Sequence, residues 1–262
     1  MHFSLAFSPC PNDTFIFDAL VNNKIDTNGL TFSLHLEDVQ TLNEWAIEGR
    51  MDFSKISYGV FNKVQSIYQL LNSGGALGKG VGPLLISKPH FDRFNNTMRV
   101  AIPGENTTAH LLFSLAFPEA KNKVFTVFNE IEEAVITGKV DAGVIIHENR
   151  FTYQEKGLKL IMDLGAYWEN TQHVPIPLGG IIAKKSIDPI VINQVDHLIK
   201  KSIEYAFSIY PFISPYVKEH SQEMSEDVMR KHIDLYVNNY SLDLGTEGWR
   251  AIEALMKAYM NK

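Results

Sequence analysis

His147 is the side chain in this sequence best placed to move a proton. It follows Ala142-Gly143-Val144-Ile145-Ile146, an apolar run that reads as a strand. In open α/β sheets, ligands bind beyond the carboxyl ends of strands. An imidazole at such a place suits a general base, because its unperturbed pKa of ~6.5 lies close to neutral pH. The competing reading is a strand-end histidine that caps a helix or faces solvent. A second reactive group, Cys10, lies in SPCPNDTF (8 to 15), between a strand and a helix. Pro11 suits the first helical position, where its missing N–H costs nothing. Cys10 is then the cap residue, at a helix end where a thiol pKa falls. A Cys10–His147 pair would be a nucleophilic dyad, but nothing in the spacing brings the two together.

Two further turns have the same geometry. KISYG (55 to 59) ends a strand and offers Lys55 as a cation and Ser57 as a hydroxyl donor, with Ile56 between them. NTTA (106 to 109) opens a helix after a strand, with Asn106 or Thr107 as its cap. The first helical N–H groups, at Thr108 and Ala109, carry positive potential and suit a carboxylate. Taken singly, each turn is explained by capping. Three of them at strand ends, in both halves of the chain, favour a site. Other motifs fail. GGALGKG (74 to 80) lacks the spacing and the Ser or Thr of a phosphate-binding loop, so it reads as a flexible turn. His147-Glu148 starts like HExxH, but Phe151 stands where the second histidine belongs. Cys10 has no second cysteine to make a CxxC, and no metal site is expected.

These turns need elements to hold them. HFSLAF (2 to 7) alternates as a strand, and a helix follows from Pro11 to Val21. TFSLHL, DFSKISY, IYQLL and PLLIS read as further strands before residue 88, with a helix over VQTLNEWAIEGR (39 to 50). KPHFDRFNNTM (88 to 98) is polar and reads as a crossover into a second α/β series, which runs from MRVAIP to PLGGIIAKK (177 to 185). A return crossover is expected near 184 to 188. Four helical segments with 3.6-type spacing then fill the rest of the chain. The expected organisation is one lobe from 1–90 with 187–262, a second from 91–186, and a cleft between them. One continuous sheet is the alternative.

Composition narrows the class. The chain has 262 residues, 45% hydrophobic and 21% charged, an ordinary globular balance. Net charge is −6, with no Lys/Arg stripe, which argues against nucleic acid. No run reaches the ~18 apolar residues of a membrane span. A single cysteine and an N-terminus without a signal pattern fit a cytoplasmic protein. The sequence sets no oligomeric state.

SPCPNDTF, LEDVQTLNEWAIEGR (36 to 50), KISYG, SGGALGKGVGPL (73 to 84), PGENTTA (103 to 109), IIHENRFTY (145 to 153), PLGGIIAKK and YVNNYSLDLGTEG (236 to 248) resemble, in order, the 1,4-dihydroxy-6-naphthoate synthases. These enzymes belong to the futalosine branch of menaquinone biosynthesis. The resemblance covers nearly the whole chain. It implies an α/β, two-lobed, periplasmic-binding-protein-like (type II) fold with a central cleft and a helical C-terminal region. It also implies a cofactor-independent lyase that converts cyclic dehypoxanthinyl futalosine to 1,4-dihydroxy-6-naphthoate and dihydroxyacetone. The family's general base falls on His147. Its substrate-contacting turns fall on Lys55, Ile56 and Ser57 and on Thr108 and Ala109. Ser8, Asn12, Asp13 and Thr14, with Thr107, are then candidates for the cleft wall, and Cys10 a small buried residue beside them. The sister chorismate dehydratase shares the implied fold but not the N-terminal block. It stays an alternative, as does a non-catalytic binding protein of the same fold.

Overall fold

The structure is a computed structural model, and it describes residues 1–147, 149–221 and 225–260. The alternating N-terminal segments make the strands β1 (His2–Phe7), β2 (Thr31–Leu36), β3 (Phe53–Ser57), β4 (Tyr68–Leu70) and β5 (Ala76–Gly78). A second group follows: β6 (Leu84–Ser87), β7 (Val100–Ile102), β8 (Lys123–Phe125), β9 (Ala142–Ile145) and β10 (Lys159–Asp163). The longest strand, β11 (Ile176–Lys184), comes last.

These strands form two sheets. The first has the order β2-β1-β3-β11-β4, with β5 also on β11, and the second has the order β10-β6-β9-β7-β8. In the first sheet β1 runs parallel to β2 and β3, while β11 is antiparallel to β3, β4 and β5. In the second, β7 is parallel to β8 and β9, and β6 is antiparallel to β9 and β10. Two separate sheets replace the continuous-sheet alternative.

The chain passes between the sheets at places other than those its polarity suggests. It crosses through 79–83, between β5 and β6, and returns through 173–175, before β11. The polar stretch 88–98 joins β6 to β7 within the second sheet. PLLIS and PLGGIIAKK therefore each belong to the other sheet from the one expected. Their patterns report burial on both faces, which does not say against which neighbours a strand lies. The glycine-rich stretch is itself the first crossover. Gly80 has φ +71, and Gly82 packs so closely on Gly165 that a side chain at either would overlap the other's backbone. Glycine is needed there for close approach as much as for conformation.

Helices cover both sheets. They are α1 (Pro11–Val21), α2 (Val39–Ile47), α3 (Phe61–Val64), α4 (Thr108–Ala116), α5 (Ile131–Ile136), α6 (Asn149–Thr152) and α7 (Leu164–Gln172). The C-terminal region adds α8 (Pro189–Ile209), α9 (Pro215–His220), α10 (Glu226–Tyr236), α11 (Asn239–Leu242) and α12 (Gly245–Met260). The C-terminal helices pack on the first sheet's side, α8 and α9 against α1 and α12 against β11 and α3. One core gathers Leu5, Phe7, Phe17 and Phe53 against Val195, Ile199 and Ile233. Another gathers Leu85, Ile102, Phe113, Val144 and Trp168. Trp168 is fully buried, and its indole N–H donates to the Pro175 carbonyl at 3.2 Å, which ties the return crossover to α7. No described helix is long and apolar enough to cross a membrane.

Candidate active site

The two sheets face a cavity open on one side to solvent, with about 700 Å³ of space when that open part is included. Its wall includes Ser8, Asn12 and Asp13 from the start of α1, and Lys55, Ile56 and Ser57 from the end of β3. From the other side come Thr107, Thr108 and Ala109 at the start of α4, and Ile146 and His147 after β9. Segments far apart in sequence thus meet at the carboxyl ends of their strands, as the α/β rule requires.

On the first-sheet side, Cys10 is the N-cap of α1 and Pro11 its first residue. The Cys10 carbonyl accepts the N–H groups of Asp13 and Thr14 at 3.1 and 3.0 Å. Asp13 is the hub. Its Oδ2 accepts the Ser8 hydroxyl at 2.8 Å and the Ser8 N–H at 3.3 Å. Its Oδ1 accepts Asn12 Nδ2 at 2.8 Å and lies 2.8 Å from Lys55 Nζ. Lys55 also donates to the Gly74 carbonyl at 3.0 Å. The cation expected at Lys55 is therefore half of a buried ion pair, with side-chain exposures of 6% and 3% for Lys55 and Asp13. An ammonium has three N–H donors, and the described residues occupy two of them. Asn12 Oδ1 is buried and has no partner. Thr14 does not line the cavity. It is fully buried, and its hydroxyl bonds back to the Cys10 carbonyl, as helix-interior threonines do. Cys10 is buried and is not among the residues that line the cavity.

Ser57 is held by a residue that the sequence patterns passed over. Asn43, on α2, accepts the Ser57 N–H at 2.9 Å and donates to Ser57 Oγ at 3.1 Å. The same amide donates to the Asn106 carbonyl at 2.9 Å. It thereby links β3 to the loop before α4. The hydroxyl hydrogen of Ser57 is left for the cavity.

At the start of α4, Thr107 is the cap. Its Oγ1 accepts the His110 N–H at 3.1 Å and donates to Gly104 O at 2.9 Å. The Thr108 hydroxyl donates to Leu178 O at 2.8 Å and accepts the Gly59 N–H at 3.0 Å. Both hydroxyls are spent on structure. The backbone N–H groups of Thr108 and Ala109, in the first turn, have no partner within their helix. A Cβ on Gly59 would come within 2.9 Å of the Thr108 backbone, so the two sides of the cleft touch here.

His147 occupies the turn after β9 with φ +56. A left-handed backbone costs a non-glycine residue ~1–2 kcal/mol, and such strain gathers at functional sites. The turn is anchored beyond it, where Asn149 Nδ2 donates to Glu132 Oε2 at 2.7 Å and Arg150 donates to Gly82 O at 2.6 Å. Glu148 lies outside the described residues. The His147 ring lies 4.9 Å from the Phe128 ring and 5.8 Å from the ring of His232. His232, on α10, is fully buried. Burial, and then the nearby His147, hold its pKa well below the ordinary histidine value.

A family model described as menaquinone biosynthesis matches residues 3–261. The chain belongs to this family. Among curated members, a 1,4-dihydroxy-6-naphthoate synthase of Thermus thermophilus is 43% identical over 96% of this chain and 91% of its own length. Another, from Streptomyces coelicolor, is 41% identical over 96% and 90%. A crystal structure of an Archaeoglobus fulgidus protein superposes with a TM-score of 0.94 at 28% identity, covering 99% of this chain and 97% of that one. The periplasmic aliphatic sulphonate binding protein of Escherichia coli gives 0.67 at 11% identity, covering 99% and 87%. The fold is that of periplasmic binding proteins.

In this member of the menaquinone biosynthesis family, Asn43 and His232, near the cleft, were missed by sequence reasoning, and each had a signal. Asn43 sits beside Leu42 on the buried side of α2, an amide among apolar side chains. His232 shares the buried face of α10 with Met229, Ile233 and Tyr236, and Tyr236 also lines the cavity. Val39 and Leu42, apolar residues of α2, also line the cavity. Among the described residues, no group of three or more His, Cys, Asp or Glu side chains is arranged to hold a metal ion.

Proposed function

We propose that this chain catalyses the 1,4-dihydroxy-6-naphthoate synthase reaction, cleaving cyclic dehypoxanthinyl futalosine to 1,4-dihydroxy-6-naphthoate and dihydroxyacetone. The observation that carries the reading is one cavity with a single imidazole, His147, facing a wall of hydrogen-bond donors and apolar groups. The chemistry assigned to it needs a base, a cradle for negative charge and exclusion of water. No cofactor is assigned to it.

His147 is the base. It removes a proton from the substrate, either beside the ketone or from a hydroxyl of the sugar-derived ring. A retro-aldol cleavage of the carbon–carbon bond follows, and formation of the aromatic naphthalene drives it forward. The Ser57 hydroxyl, the remaining Lys55 N–H and the N–H groups of Thr108 and Ala109 hold the carboxylate or the developing enolate. Donors fixed in place before reaction contribute ~3 kcal/mol each to such charge. Asn12 Oδ1, an acceptor without a donor, suits a substrate hydroxyl. Ile56, Val39 and Leu42 offer the apolar surface an aromatic ring requires. Because the Lys55 charge is already balanced by Asp13, binding a carboxylate does not bring a second full charge into the cavity unpaired.

In this reading the sheets belong to two lobes that part to admit substrate and close over it to exclude water. The reaction is assigned to the cytoplasm. Incubating the purified protein with cyclic dehypoxanthinyl futalosine, and separately with chorismate, tests the assignment by mass spectrometry. The expected result is the naphthoate and dihydroxyacetone from the first and nothing from the second. Loss of water from chorismate would make the chain a dehydratase. Tight binding of the first compound without product would make it a binding protein.

A further inference from the structure

We propose that Asn12 sets which way round the substrate lies: its Oδ1 accepts a hydroxyl of the sugar-derived ring, which leaves the carboxylate to Ser57 and the start of α4. The inference rests on the function proposed above and adds to it an orientation. Asn12 is the second residue of α1, is 6% exposed and lines the cavity. Its Nδ2 donates to Asp13 Oδ1 at 2.8 Å. Turned the other way, the amide would set Oδ1 against the Asp13 carboxylate, acceptor against acceptor, so its orientation is forced. Oδ1 is then buried and has no hydrogen-bond partner among the described residues. A buried acceptor without a donor costs free energy that an apolar side chain of the same size would not. A ligand that brings a donor removes that cost.

The cavity wall is polarised as a result. At the start of α1 it presents acceptors, Asn12 Oδ1 and the Asp13 carboxylate. At Ser57 and the start of α4 it presents donors. Ser57 Oγ already accepts from Asn43, so it has a hydrogen to give, and the first-turn N–H groups of Thr108 and Ala109 only donate. An ionised carboxylate has acceptors only. Brought to Asn12, it would face two acceptors and leave Oδ1 unsatisfied. A hydroxyl there donates to Oδ1. The remaining Lys55 N–H, tied to this corner through Asp13 Oδ1, suits an acceptor oxygen of either kind and so does not choose between the two ends. A substrate with hydroxyls at one end and a carboxylate at the other satisfies both corners in one orientation only. A site built to bond a hydroxyl also discriminates against compounds that lack it, which makes Asn12 a specificity-determining residue.

The test is a double cycle of protein and ligand changes, read by calorimetry in His147→Ala, which leaves Asn12 in place. The ligands are cyclic dehypoxanthinyl futalosine, analogues that each lack one hydroxyl of the sugar-derived ring, and the analogue that lacks the carboxylate. One deoxy analogue should bind about tenfold to a hundredfold more weakly than the parent, the effect of a buried acceptor left without its donor. Adding Asn12→Leu, which keeps the size without the acceptor, should weaken the parent by a similar factor and that analogue by no more than about twofold further. The carboxylate-free analogue should lose as much on Asn12→Leu as the parent does. If the two losses multiply for every deoxy analogue, or if Asn12 is coupled to the carboxylate instead, the proposal is wrong. Should Asn12→Leu not fold, Asn12→Ala gives the same cycle. Should His147→Ala still turn the parent over, the cycle is read in kcat/KM. Wild type that makes no naphthoate from the parent overturns the functional reading and this inference with it. Naphthoate made without coupling between Asn12 and any hydroxyl overturns this inference alone.

Discussion

The two walls of the cleft are built in opposite ways. On the first-sheet side, a connected network fixes the charged and hydroxyl groups. Asp13 alone gathers Ser8, Asn12 and Lys55, and Asn43 accepts the Ser57 N–H and donates to its Oγ. On the other side His147 sits in a strained backbone beside the ring of Phe128, with the ring of His232 reaching it from α10 on the first-sheet side. A satisfied network is rigid and holds its remaining donors in fixed directions. One wall is suited to binding and the other to chemistry.

That contrast is broken most directly at His147. His147→Ala should lower turnover by about a hundredfold or more, the usual contribution of a general base, with thermal stability close to wild type. On the opposite wall the largest effect should be on folding. Asp13→Ala leaves the buried Lys55 ammonium without its counter-charge, which costs about 3–5 kcal/mol and should appear as a lower denaturant midpoint. The double variant Asp13→Leu, Lys55→Met should recover much of that stability but not substrate affinity. Recovery of both would mean that the ion pair plays no part in binding.

Asn43→Ala should have a smaller effect on stability and a larger one on KM than on kcat. It leaves the Ser57 N–H buried and unpaired, at about 1–3 kcal/mol, and frees the loop before α4. Acidification probes His232. The folded-state pKa of His232 is depressed by burial, whereas in the unfolded chain it is ~6.5. Below that value the unfolded state binds a proton that the folded state does not, so stability falls as pH falls. Thermal unfolding followed from neutral to mildly acidic pH should show this slope, and His232→Leu should flatten it. Cys10→Ser should change least. A cap serine is a good replacement, and turnover should stay within about twofold of wild type, because Cys10 supplies no nucleophile in this account.

The sequence made local features legible and concealed pairings. The bounds of α1 follow from Pro11 at its first position and the Asn22-Asn23 pair after its end. The strand before His147 is plain from its apolar run. What polarity could not reveal was membership. The polar stretch 88–98 is a surface loop of one sheet, while the true crossover, 79–83, hides in a glycine-rich turn. At the site, the segments could be named from their strand-end turns, and all but Thr14 of the named residues line the cavity. Which hydroxyls remain available could not be read in full, since Thr108 spends its own on Leu178 and Gly59, both distant in sequence. The same holds for Lys55, whose neutralising carboxylate lies in another turn. Asn43 and His232 carried a readable signal, a polar side chain on an apolar helix face, of a kind that core packing usually explains.

The division of labour between the walls is tested most directly by titrating cyclic dehypoxanthinyl futalosine into His147→Ala in a calorimeter. The account predicts binding within a few-fold of wild-type affinity, with substrate recovered intact at the end. Loss of binding, or conversion of the substrate to the naphthoate at a rate near wild type, would contradict it.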